Sequence, residues 1–250
     1  MIQRPALHVL GCATAGGNPG EACSGYLVTA GGSRVLLDCG PGVVSSLLAR
    51  DAAPLDAVVL SHLHFDHTGD LIPLAFAHAF GLASEWKPPV VYAPPGGAAR
   101  IAALCEAGGA GADHLEHCGL TVREYAPAAA LTVGEARLTF RELVHPGTSH
   151  AIRVEAGGGV FVFSGDTALT PALGEHAAGA DVLLSEATAL PESAVHLPAT
   201  HAGRIAREAG CKALVLTHVD VRERSAALRQ ARETFGGPVH AAVPGLRVAA

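Results

Sequence analysis

Lysine is almost missing from this 250-residue chain, which has only Lys87 and Lys212. Lysine and arginine together number 17 against 23 acidic side chains, a formal net charge of −6. No basic run exists, and the densest basic stretch, Arg222 to Arg232, is interleaved and flanked by Glu223 and Glu233. Proteins that grip nucleic acid cluster cations to neutralise phosphates, so a large polyanionic partner is not expected. Aromatic residues make up 4% of the chain, which leaves few platforms for stacking a nucleobase. Long apolar runs are absent too: the longest, around Leu71 to Ala83, is broken by Pro73 and His78. A spanning helix needs about 20 apolar residues, so no membrane segment is expected. Met1-Ile2-Gln3-Arg4-Pro5 leads straight into a strand-like run without a signal-peptide pattern, so the expected location is cytoplasmic. Cys12, Cys23, Cys39, Cys105, Cys118 and Cys211 form no CxxC pair and are read as reduced, mostly buried small hydrophobes.

Histidine, by contrast, is abundant, and its distribution is uneven. Ser61-His62-Leu63-His64-Phe65-Asp66-His67 places three imidazoles and a carboxylate in six positions, directly after the apolar Ala57-Val58-Val59-Leu60. Packing gives no reason to crowd four ligand-type side chains at the end of a buried strand; coordination does. His62 and His64, two apart, can converge on one cation, while Asp66 and His67 turn toward a second. Three other β-type runs end in single ligand-type residues. Leu138 to Val144 leads into His145, Val160 to Ser164 leads through Gly165 into Asp166, and Ala213 to Thr217 leads into His218. Open α/β folds carry their sites beyond the carboxyl ends of strands.

Chemistry and chain order then suggest an assignment. His62, His64 and His145 would hold one ion; Asp66, His67 and His218 the other; Asp166, with two oxygens to share, would bridge them. Nitrogen and oxygen donors suit two divalent ions, Zn²⁺ first, with Mn²⁺ or Fe also accommodated. His8, His78, His114, His117, His176, His201 and His240 read as core or surface residues, His78 on the helix expected behind the site and His201 beside His196 being the two to watch.

The rest of the chain alternates strands and helices without a linker, so residues 1–250 are expected to form a single domain. Strands are expected at 6–10, 26–29, 34–38, 57–61 and 90–93, with helices over 41–50, 69–83 and 96–107. The second half repeats the pattern, with strands near 120–125, 136–144, 151–155, 160–164, 181–186, 213–217 and 239–243. Its helices fall at 169–178, 199–209 and 222–234. Meander, helix, meander, helix implies an α+β chain built as an αββα sandwich: two mixed β-sheets packed face to face, with helices outside.

Particular segments carry a family resemblance: Gly11-Cys12, Ser24-Gly25-Tyr26, Leu37-Asp38-Cys39-Gly40, Ser61 to His67, and His145 to Arg153. Phe163 to Thr167, Ser185-Glu186-Ala187-Thr188, His196-Leu197 and Leu216-Thr217-His218 complete the set. On these the chain resembles the metallo-β-lactamase-fold hydrolases over nearly its whole length. Within them it is most similar to the ribonuclease Z-like branch, and in arrangement to its small bacterial cyclic-nucleotide phosphodiesterases. The resemblance implies a metal-dependent hydrolase acting on a small-molecule phosphodiester. Asp66 would orient the attacking water, His196 would protonate the leaving alkoxide, and Glu186 would hold His196 from behind. Members of the branch often dimerise, and the apolar helix over 69–83 offers a face for a homodimer.

Two departures stand out. The branch's transfer-RNA-processing enzymes insert a long basic arm between the third metal histidine and the bridging aspartate; here only 20 residues separate His145 from Asp166. Transfer RNA processing is therefore not expected. The usual Gly-Tyr-Arg after the third histidine reads Ala151-Ile152-Arg153, preceded by His150, which removes an aromatic from the expected pocket wall. The other walls are expected from Asn18 to Ser24, from Phe76 to Leu82 with Trp86, and from Thr148 to His150. Hydrolysis of a carboxylic ester, lactone, thioester or sulfate ester would use the same site. A diiron redox protein of this fold would tend to carry glutamate where this chain has His62.

Overall fold

The structure, a computed structural model, describes residues 2–188 and 193–250. The first half comprises β1 (Ala6–Gly11), β2 (Gly25–Ala30), β3 (Ser33–Leu37), α1 (Val43–Arg50), β4 (Ala57–Val59), α2 (Phe65–Thr68) and α3 (Leu71–Phe80). It continues through β5 (Val90–Ala93), α4 (Gly97–Ala107), α5 (His114–His117) and β6 (Thr121–Glu124). The second half comprises β7 (Leu131–Val133), β8 (Ala136–Leu143), β9 (Ser149–Ala156), β10 (Gly159–Phe163), α6 (Pro171–His176) and β11 (Val182–Glu186). It ends with α7 (Ala199–Glu208), β12 (Ala213–Thr217), α8 (Arg224–Thr234), β13 (Val239–Ala241) and β14 (Arg247–Ala249).

Two seven-stranded sheets result, ordered β14-β1-β2-β3-β4-β5-β6 and β13-β12-β11-β10-β9-β8-β7. In each, an antiparallel meander gives way to parallel strands: β3, β4, β5 and β6 in the first, β10, β11, β12 and β13 in the second. Parallel neighbours need crossover connections, and the helices supply them.

The strand sequences show why the sheets are buried on both faces. Val35 and Leu37 of β3 face the inter-sheet core with Tyr26, Val59, Phe140, Ile152, Phe161, Phe163 and Val215. Leu36, between them, points the other way, into a second cluster with Leu47 of α1, Leu74 of α3 and Ile101 of α4. On the far side Leu214 and Leu216 of β12 meet Leu173 of α6, Ile205 of α7 and Ala231 of α8. With period-2 alternation, a strand covered on both faces must be apolar at every position. Each such side chain contributes about 1.5–3 kcal/mol on burial.

The layered α+β sandwich expected from the alternation is thus observed, with differences at the ends of elements. The helix expected over 69–83 spans Leu71–Phe80. Pro73 falls in its first turn, where the missing N–H has no intrahelical partner to lose. The edge strands β7 and β14 were not anticipated: three residues each carry little pattern, and pairing with β8 and β1 creates them. Among the described residues no helix is long and apolar enough to cross a membrane.

Candidate metal centre

Strand direction assembles the site. β8 runs antiparallel to β9 and β9 to β10, so β8, β10, β11 and β12 all point the same way. Their carboxyl ends deliver His145, Asp166, Glu186 and His218 to one edge of the sandwich, where β3 and β4 deliver Asp38 and the His62–His67 segment. His64 is extended (ψ 152°), and the single helical turn of α2 begins immediately after it. The switch from extended to helical backbone separates the His62/His64 pair from Asp66 and His67. Gly40 permits the approach of the two loops: a Cβ there would lie 1.9 Å from the Asp66 carbonyl oxygen.

Three imidazoles form the first cluster. His64 Nδ1 lies 3.2 Å from His62 Nε2 and 3.2 Å from His145 Nε2. Three nitrogens bound tetrahedrally to one Zn²⁺ at about 2.0–2.1 Å would sit roughly 3.3 Å apart. The opposite nitrogens fix the tautomers: His145 Nδ1 donates to the Val195 carbonyl at 2.8 Å, and His62 Nδ1 lies 3.0 Å from Ser61 Oγ.

The second cluster is mixed and almost fully buried. His218 Nε2 lies 3.0 Å from Asp66 Oδ2, and His67 Nε2 is 3.5 Å from both Asp66 Oδ2 and Asp166 Oδ1. His67 Nε2 has no hydrogen-bond partner although it is buried; a cation at this point would satisfy it. Asp166 lies between the clusters. Its Oδ2 is 3.7 Å from His218 Nε2, 3.9 Å from His62 Nε2 and 4.0 Å from His145 Nε2. The structure therefore brings together the same two sets expected from the sequence, with Asp166 in reach of both. No cysteine belongs to either set among the described residues, and all six cysteines are unpaired.

Asp38 is the residue that the sequence reading passed over. Fully buried, it accepts from the Ser61 backbone N–H at 2.7 Å, from Ser61 Oγ at 2.8 Å and from His67 Nδ1 at 2.6 Å. Its backbone is left-handed (φ 59°), a conformation aspartate tolerates better than most residues. The available signal was the one used elsewhere: a lone carboxylate directly after an apolar strand. Thr188 plays the corresponding part for His218, which is also left-handed at φ 56°. Thr188 Oγ1 accepts from His218 Nδ1 at 2.7 Å and donates to the His218 carbonyl at 2.7 Å.

Electrostatics separate the clusters. Burial, reinforced by His67, drives the His62 imidazole well below its ordinary pKa, and burial with His145 lowers His64. Burial pushes His67 the same way, but Asp166 and Asp38 outweigh it and hold it well above the ordinary value. Burial would raise Asp66 and Asp166, yet the hydrogen bond from His218 lowers Asp66, and His218 and His67 pull Asp166 far down. Imidazole nitrogens and ionised carboxylates facing one small volume are a donor set for divalent cations, which would take the place of the proton on His67.

Glu186 and His196 lie at the mouth. The Glu186 carboxylate is fully buried and accepts from the backbone of Thr167 at 2.6 Å and of Thr188 at 3.3 Å. His196 Nδ1 donates to it at 3.0 Å, which leaves Nε2 free. The His196 ring centre is 5.2 Å from that of His145 and 5.8 Å from that of His218, beside both clusters. Burial lowers the His196 pKa, but Glu186 more than compensates and raises it.

The expected pocket walls need correction. His150 is fully buried and bonds to the Tyr125 hydroxyl at 3.1 Å, while its backbone N–H donates to Ser61 O at 3.0 Å. It braces the ligand loop from behind and does not replace a pocket aromatic. A cavity of about 340 Å³ opens beside His64 and is lined by residues of the ligand segment, α2 and α4. Asn18 holds the segment after His218, accepting from Val221 N at 3.0 Å and donating to Val219 O at 3.1 Å.

A family model described as "Beta-lactamase superfamily domain" matches residues 33–219. The chain is 35% identical to "Probable metallo-hydrolase YhfI" of Bacillus subtilis over 95% of this chain and 96% of that one. It is 31% identical to "Ribonuclease Z" of Mycobacterium bovis over 80% of this chain and 81% of that one. The crystal structure of YhfI from Bacillus subtilis superposes with a TM-score of 0.83 at 30% identity, covering 98% and 99% of the two chains. A diphosphatase from the PhnP family shares the fold, with a TM-score of 0.76 at 19% identity and coverage of 99% and 98%.

Proposed function

Because the chain belongs to the β-lactamase superfamily domain family, we propose that it is a dinuclear metal-dependent phosphodiesterase acting on a small phosphodiester such as a cyclic nucleotide. The observation that carries the dinuclear reading is the placement of Asp166, one oxygen toward His67 and the other toward His62, His145 and His218. Five imidazoles and two carboxylates favour zinc, with manganese or iron as substitutes. His62, His64 and His145 would hold one ion and Asp66, His67 and His218 the other, with Asp166 in reach of both sets. Two divalent ions bound there would supply charge neutralisation to a phosphate and acidity to a water at neutral pH.

The protein's own groups do the rest. The Asp66 carboxylate accepts a hydrogen bond from the attacking water and aims it at phosphorus. His196, with its proton on Nε2, donates it to the departing alkoxide, and buried Glu186 stabilises the imidazolium before the transfer. This acid–carboxylate pair favours phosphodiesters with alkoxide leaving groups, because a poor leaving group needs the proton. The 20 residues between His145 and Asp166 are taken up by β9, the turn at Gly157-Gly158 and β10. A stretch this short leaves no room for a transfer-RNA-gripping arm, which argues against that substrate.

The test is hydrolysis of bis(p-nitrophenyl) phosphate beside p-nitrophenyl acetate, with metal content determined on the same sample. Diester turnover that is lost on chelation and restored by Zn²⁺ or Mn²⁺ is expected. Strong acetate turnover with an inert diester would overturn the phosphodiesterase reading in favour of an ester, lactone or thioester hydrolase.

A further inference from the structure

The cavity beside His64 has a composition that the metal chemistry does not explain. At about 340 Å³ it lies within the range of small-molecule pockets, roughly 300–1,000 Å³. Leu63 and Phe65 wall it from the ligand segment, and Ile101 and Leu104 from α4. Phe65, between ligands His64 and Asp66, is 63% exposed, an unusual position for a large aromatic unless something covers it.

Arg100 lines the same cavity. None of the eight lining residues is acidic, and among the described residues the Arg100 guanidinium has no ion-pair partner. Other exposed arginines, Arg123 and Arg204 among them, also lack an ion-pair partner among the described residues; what sets Arg100 apart is that its cavity also holds His64. An unmatched guanidinium on an acidic protein, across an apolar surface from a metal ligand, is a receptor for an oxyanion.

We propose that Arg100 is a specificity-determining residue that binds a second anionic group, a carboxylate or phosphate, on the substrate. This rests on the hydrolase reading above and extends it. The scissile group sits at the metal centre, an apolar or aromatic body lies against Leu63, Phe65, Ile101 and Leu104, and the distal oxyanion meets Arg100. The preferred substrate class is an ester of phosphoric acid with a charged, apolar-bodied arm.

The test compares p-nitrophenyl phenyl phosphate with its carboxyphenyl and phosphonophenyl analogues. The protein should favour one or both charged analogues in kcat/KM, and added salt should erode the preference. Arg100→Gln should lower the charged-to-uncharged ratio about ten-fold, through KM with little change in kcat, and Arg100→Lys should restore part of it. Arg123→Gln removes the same charge from β6 outside the cavity and should keep the native ratio. An unchanged ratio in Arg100→Gln, or an equal fall in Arg123→Gln, overturns the proposal. If the protein hydrolyses no diester, the phosphodiesterase reading fails separately; p-nitrophenyl butyrate and mono-p-nitrophenyl glutarate then carry the same comparison. Hydrolysis of neither pair overturns both.

Discussion

Replacing Asp38 by asparagine changes one buried atom and should disturb both metal clusters. Asparagine tolerates the left-handed backbone of this position, so the fold has little reason to fail. Its carbonyl oxygen must stay where Oδ1 accepts from the Ser61 N–H. The amide nitrogen then takes the place of Oδ2, 2.6 Å from His67 Nδ1 and 2.8 Å from Ser61 Oγ, and points hydrogens at both. His67 must accept at Nδ1, which moves its proton to Nε2, the atom aimed at Asp66 and Asp166. Ser61, no longer able to donate to residue 38, turns its hydroxyl hydrogen toward His62 Nδ1 at 3.0 Å. That pushes the His62 proton onto Nε2, in the first cluster. Loss of such an orienting partner typically costs 10–100-fold in metal affinity, about 1.4–2.7 kcal/mol per site. The second cluster should suffer more, since Asp38 touches His67 directly and His62 only through Ser61. The assay is zinc titration against a competing chelator, with circular dichroism and thermal unfolding in excess chelator to show that the variant is folded. Two zinc ions bound at native affinity by folded Asp38→Asn would refute the reasoning.

Other perturbations separate chemistry from structure. His196→Gln should lower kcat about 10²–10⁴-fold for diesters with alkoxide leaving groups, much less for p-nitrophenolate, at native metal content; parallel loss of metal would remove His196 from the acid role. A general acid works only while protonated, and His196 is raised above the ordinary histidine value of about 6.5. Activity should therefore fall as pH rises through a pKa above that value, and Glu186→Gln should move this alkaline limb to lower pH. An unmoved limb would disconnect Glu186 from the proton donor. Gly40→Ala forces a Cβ against the Asp66 carbonyl; overpacking of about 1–3 kcal/mol should lower Tm by some 2–4 °C per kcal/mol and weaken the second cluster. Native stability and zinc binding in Gly40→Ala would show that the loops have room to part.

The ligands were legible because their signal is local. His62, His64, Asp66 and His67 announce themselves by density, and His145, Asp166 and His218 by following short apolar runs. Asp38 follows such a run as well, Val35-Leu36-Leu37, but a lone aspartate before Cys39-Gly40 reads equally well as a turn residue. Only its three buried hydrogen bonds distinguish it. His150 was misplaced for a related reason. As a polar residue near ligand His145 it suggested a pocket wall, yet its β9 position turns the ring into the interior to meet Tyr125. β7 and β14 are too short to carry a period, and their partners alone make them strands.

Donor identity is a property of side-chain chemistry, so the sequence by itself determined which residues offer donors to a cation, that nitrogen and oxygen predominate among them, and that the chain layers as two helix-covered sheets. Which nitrogen of each imidazole faces inward, that Asp38 and Ser61 couple the two clusters, and that Arg100 of α4 shares a cavity with His64 were decided only by tertiary structure. His218 and Asp66 are 152 positions apart and meet at 3.0 Å. Convergence at that range depends on two sheets packing with their strand ends in one plane, and no local pattern encodes the distance across a core.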